Sequence, residues 1–112
     1  MAGKRIIVPF RAEGEVSQEF IADWVARCQE TSKKPGCLQF EMFRSVVNPD
    51  RFALIEHWEN QGLLEAHWKQ QFPQGRPPQE QQQLPRMVPA GFELYDQQNS
   101  AFDGRTVRPL EE

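Results

Sequence analysis

Four residues in the middle of the chain have the types needed for proton chemistry on a flat molecule: Glu56, His57, Trp58 and His67. A carboxylate accepts a proton, histidine titrates near neutrality, and indole offers a wide apolar face with one N–H donor. Residues 51–58 have a strand pattern, so Phe52, Leu54, Glu56 and Trp58 share one face, while Ala53, Ile55 and His57 share the other. Glu56 therefore sits on a face that is otherwise apolar. A carboxylate there either pairs with a cation, with Arg44, Arg11 and Arg5 as candidates, or has a raised pKa and serves as a base or hydrogen-bond anchor. Trp58 is either a core aromatic at the sheet rim or a wall for a planar ligand. His67 falls on the Leu63 and Leu64 side of the following helix, as a structural residue or as the proton acceptor for a phenol. Trp24, Phe20, Phe72 and Trp68 are further candidate walls. His57, on the opposite strand face, is the weaker histidine candidate.

The elements that must position these groups are legible in order. Residues 4–11 alternate as a first strand, and Pro9, which cannot donate a ladder bond, predicts an edge or bulge beside it. Residues 15–31 form an amphipathic helix with Val16, Phe20, Ile21, Trp24, Val25 and Cys28 on one stripe. Pro35 and Gly36 stop it, and the basic pair Lys33 and Lys34 suits the negative end of the helix dipole. Residues 37–46 and 51–58 flank Asn48, Pro49 and Asp50, a turn cluster, and read as a β-hairpin. Residues 60–71 form a second helix. Residues 72–89 are rich in proline and glutamine and read as a lid or interface arm, in which proline could open a short helix at 78–84. Residues 90–97 are the last strand. The polar tail, 98–112, is expected to be loose or to lie on a partner subunit.

This order, β-α-β-β-α-β, predicts an α+β fold: a ferredoxin-like split βαβ antiparallel sheet over residues 1–97 with its helices on one face. The hairpin is apolar on both faces, with Leu38, Phe40 and Met42 on one and Cys37 and Phe43 on the other. Both faces of such a sheet need cover, and a second copy laid sheet to sheet supplies it. The expected partner is thus a second copy of the chain.

Residues 34–69 also resemble a known family. Pro35, Gly36, Cys37, Leu38 and Phe40, then Arg51, Phe52, Leu54, Glu56 and Trp58, then Ala66 and His67 match the pattern of the antibiotic biosynthesis monooxygenase domain. The likeness extends more weakly over 5–97. It implies a dimeric α+β barrel. It also implies oxygenation of a small aromatic substrate by molecular oxygen, with a tryptophan kept at the position of Trp58. Oxygenating members often carry an asparagine where this chain has Leu54, and many relatives have a His-Phe pair where it has Gln71-Phe72. The haem-degrading branch needs an axial histidine near there and an asparagine in the first strand; this first strand has none, so haem is not expected.

Composition excludes several other classes. A chain of 112 residues with net charge −3 is one domain without a bulk electrostatic footprint for nucleic acid. No apolar run reaches the length of a membrane span, and the N-terminal apolar stretch is too short for a signal peptide. Cys28 and Cys37 form no CxxC and are read as free thiols, which points to the cytoplasm. Two histidines without an HxH or HExxH spacing make no metal site, and no glycine-rich loop seats a nucleotide or flavin. No cofactor is expected. Three functions stay open. One is a cofactor-independent monooxygenase on a phenolic or quinol-type substrate, with His67 first and Glu56 second as the base. The others are an isomerase or cyclase using the same base, and a dimeric small-molecule-binding domain without catalysis.

Overall fold

The computed structural model describes residues 3–75 and 85–110. β1 (Lys4–Glu13) leads to α1 (Gln18–Thr31), then β2 (Cys37–Arg44), β3 (Arg51–Trp58) and α2 (Gln61–Gln71). β4 (Arg86–Pro89), β5 (Glu93–Asp96), β6 (Ser100–Phe102) and β7 (Val107–Pro109) follow. The main sheet is antiparallel, in the order β2-β3-β1-β4, with β5 also paired to β1. This is the expected α+β, ferredoxin-like arrangement.

Local chemistry sets the element ends. The Ser17 side chain accepts from the Phe20 N–H at 3.1 Å, and the Asn60 side chain accepts from the Leu63 N–H at 2.9 Å. These caps satisfy helix donors that have no partner within the helix, so α1 begins at Gln18 and α2 at Gln61, later than periodicity alone suggests. In the hairpin turn Ser45 is the organiser: its hydroxyl accepts from the N–H groups of Val47 and Asn48 at 3.1 and 3.0 Å. β2 accordingly ends at Arg44, short of Val46.

Pro9 has its expected consequence. Ile7 pairs with Glu93 and Phe10 with Pro89, and the chain between them leaves the ladder opposite Pro9. The strand expected over 90–97 is the shorter β5, and β4 is an additional strand that lies inside the proline-rich stretch. The short helix expected at 78–84 lies outside the described residues. The tail is not formless, since β6 pairs with β7. Its turn is held by the Asp103 carboxylate, which accepts from the N–H groups of Arg105 and Thr106, both at 2.8 Å.

The core lies between sheet and helices. Ile6, Val8, Phe10 and Ala12 of β1 and Phe52, Leu54, Glu56 and Trp58 of β3 are all buried on that face. Trp24 and Leu64 meet them from α1 and α2. Of the stripe expected on α1, Phe20, Trp24 and Cys28 pack on the core, whereas Ile21 and Val25 stay exposed at its margin. The register of β2 shifts between Cys37 and Gln39. One extra residue there flips the alternation. Cys37 consequently packs on the core opposite Trp58 and Leu38 is exposed, the reverse of the faces expected from strict alternation.

Candidate functional site

β3 delivers Glu56 to the middle of the buried face, between Ile6 of β1 and Phe40 of β2 in the register. Its residue exposure is 0%. The Trp58 indole Nε1 donates to Glu56 Oε1 at 3.0 Å. Oε2 is buried and has no hydrogen-bond partner among the described residues. Burial pushes the Glu56 carboxyl up to about 7, against the opposing pull of the Trp58 hydrogen bond and of the Arg27 charge.

None of the three arginines considered as partners forms an ion pair with Glu56 among the described residues. Arg44 lies over the Phe52 ring and donates to the Pro49 carbonyl at 2.6 Å. Arg11 pairs with Glu13 at 3.7 Å. Arg5 points to the helix-free face, where it donates to Gln97 and Gln39 and approaches His57 Nδ1 at 3.4 Å. The alternation of β1 and β3 explains this. Odd-numbered residues of both strands turn away from the helices, so Arg5, Arg11 and His57 cannot reach Glu56.

His67 comes from α2 and is 2% exposed. Its ring stacks on Trp58 at 5.1 Å between centroids and meets Phe40 and Trp68 edge-on at 5.5 and 5.3 Å. Lys34 Nζ lies 3.0 Å from His67 Nδ1, while Nε2 is buried without a partner among the described residues. His67 is pulled down to about 4, first by burial and then by the charges of Lys34 and Arg27. Gly36 lets the turn after Lys34 pack closely against α2. Its φ of +79° suits glycine, and a Cβ there would stand 2.2 Å from Leu63 Cδ1 of α2.

The five expected wall residues fall into two groups. Trp58, Trp68 and Phe72 form a chain of rings with His67: Trp68 stacks on Phe72 at 5.4 Å and meets Phe92 at 6.2 Å. Trp68 Nε1 is a buried N–H without an acceptor among the described residues. Trp24 and Phe20 lie on the α1 side, against Phe10 and Phe52 respectively. They line an apolar groove of about 470 Å³ between α1 and the β2 edge, whose lining does not include Glu56, Trp58 or His67. Lys34, Arg27, Phe40 and Phe92 join the site without having stood out in the sequence as candidates. Lys34 reads there as a partner of the helix dipole. Arg27, three residues after Trp24, carries a usable signal, and its guanidinium sits 4.5 Å over that indole.

Among the described residues no group of three or more His, Cys, Asp or Glu side chains could hold a metal ion. No helix among them is long and apolar enough to cross a membrane.

Comparison with known proteins adds the family. The antibiotic biosynthesis monooxygenase family profile matches residues 5–71. A crystal structure from Deinococcus radiodurans, provisionally named an antibiotic biosynthesis monooxygenase, superposes with a TM-score of 0.60 at 18% identity, over 88% of this chain and 96% of that one. A similarly named structure from Chloroflexus aurantiacus gives 0.60 at 17% identity, over 90% and 98%. A heme-degrading protein from Mycobacterium tuberculosis gives 0.51 at 20% identity, over 85% and 89%. At these identities the likeness is one of fold. No curated protein matches the sequence significantly.

Proposed function

Because the chain belongs to the antibiotic biosynthesis monooxygenase family, we propose that it is a cofactor-independent monooxygenase acting on a phenolic or quinol-type aromatic. Glu56 is the base of choice. The observation that carries this is a fully buried carboxylate with one oxygen held by Trp58 and the other unclaimed among the described residues. Its pKa of about 7 matches the optimum for a base working near neutrality. His67 ranks second because its ring is a weaker base than free histidine. Trp58, Trp68 and Phe72 would hold the flat substrate, while Trp24 and Phe20 support the sheet on the α1 side.

In this reading Glu56 Oε2 takes the acidic proton and becomes a carboxylic acid. The electron-rich anion then reacts with molecular oxygen. For an anthrone-like methylene the balance closes without another reductant. Both C–H bonds of the methylene and the O–O bond break, one oxygen atom becomes the new ketone carbonyl, and the other leaves as water with the two protons. The protein supplies orientation, exclusion of water and stabilisation of the anion. Oxygen uptake by the pure protein with a panel of anthrone- and hydroquinone-like compounds tests this. Uptake that depends on Glu56 supports it, and no uptake across the panel contradicts it.

A second copy completes the proposal. The helix-free face presents half-buried Ile7, Pro9, Ala53 and Ile55 together with Phe43 and Tyr95, which are 44% and 48% exposed. A sheet-to-sheet dimer would cover this row. A non-catalytic binding domain is the second reading. It is favoured by the close packing around Glu56, since a substrate must part the aromatic shell to reach it.

A further inference from the structure

We propose that Lys34 is a positioning residue that locks His67 as the neutral ring with its proton on Nε2, so that His67 offers a hydrogen-bond donor to an oxygen of the ligand. An ammonium group has three donors and no acceptor. At 3.0 Å from Lys34, His67 Nδ1 can only accept. A neutral imidazole whose Nδ1 accepts must carry its proton on Nε2, and that atom is buried with no acceptor among the described residues. A buried donor left without an acceptor is costly, so its place in the structure is best used by an incoming oxygen. The Trp68 indole N–H, on a ring in edge contact with His67, is a second donor of the same kind. The complementary ligand feature is a carbonyl or phenolate oxygen.

The surroundings hold the ring neutral. Burial disfavours a positive charge on it most, and Lys34, from the α1–β2 turn, and Arg27, from α1, oppose it further. Glu56 of β3 is tied to Trp58, and Glu65 and Lys69 of α2 itself are exposed. This assignment gives the two candidate bases different tasks and in that respect rests on the reading above: Glu56 removes the proton and His67 holds the oxygen it leaves.

The tautomer can be measured without any substrate, so its outcome is separate from that of the oxygenase reading. Two-bond ¹H–¹⁵N correlation spectra of the full chain labelled at histidine report which ring nitrogen is protonated; His57→Gln assigns the two rings. The expected result is an Nε2-protonated His67 that does not titrate through the neutral range. In Lys34→Met the ring should show a mixture of tautomers and a raised pKa that burial and Arg27 still hold below the ordinary histidine value, while Lys34→Arg should preserve the wild-type pattern. An Nδ1-protonated His67 in the wild type overturns the proposal without need of any variant. So does a Lys34→Met protein whose His67 keeps its single tautomer.

Discussion

The Trp58 indole reaches back two residues along its own strand to hold Glu56 Oε1 at 3.0 Å. Residues two apart on a strand lie on one face, so the contact needs no long-range adjustment. It satisfies one carboxylate oxygen and leaves the other to the interior. The same indole carries His67 on its stacked side, so one tryptophan joins the candidate base to the candidate donor.

Replacing that tryptophan tests the link. The Trp58 hydrogen bond lowers the pKa of Glu56. Trp58→Phe removes the N–H and keeps a ring, so the pKa should climb further above about 7. The alkaline-rising limb of any activity should move to higher pH, with weaker binding of flat substrates. A limb that stays in place or moves toward acid contradicts the contact.

Stability should vary with pH in a defined sense. Glu56 is raised from 4.5 to about 7, so between those values the native state holds a proton that the unfolded chain has lost. Its contribution is therefore lost as pH rises through that window. His67 is lowered from 6.5 to about 4, and its contribution is lost as pH falls through its own window. The two slopes oppose each other, so wild-type stability should be flat where the windows overlap. Glu56→Gln removes one of them. Relative to wild type the variant should gain on the order of 2–3 kcal/mol on going from acid to about pH 8, measured by urea unfolding. A pH-independent difference contradicts the burial assigned to Glu56.

Trp24 should matter to the core. It is buried against Phe10 and belongs to the same cluster as Trp58. Trp24→Ala should cost roughly 3–5 kcal/mol in equilibrium unfolding. A loss below about 1 kcal/mol would place the α1 face wrongly.

The chain, of 13.1 kDa, should be a dimer in solution. Light scattering at micromolar concentration should return twice the chain mass. A clean monomer would sink the sheet-to-sheet proposal.

Much of the fold can be read from local signals. The hairpin, both helices and the gap opposite Pro9 follow from turn residues, periodicity and a missing donor. Leu38 and Cys37 cannot be placed that way, because a bulge reverses faces without marking the sequence. The partners of β1 on that side are only half legible, since Pro9 announces the gap but not the strand inside the proline-rich stretch. At the site, alternation puts Glu56 and Trp58 on one face correctly. It also holds the reason why Arg5 and Arg11 turn away from Glu56, although charge alone offers both as partners. The pairing of Lys34 with His67 joins residues far apart in sequence across a glycine turn. No spacing rule reaches such a contact.

The most direct test of the central claim is the pH dependence of oxygen uptake by wild type and Glu56→Gln on one responsive substrate. Wild-type activity should rise with pH around an apparent pKa of about 7, the value assigned to Glu56. Glu56→Gln should lose that limb and fall by about 10²–10⁴ in rate. A Glu56→Gln protein that keeps full activity and the same pH profile would contradict Glu56 as the base.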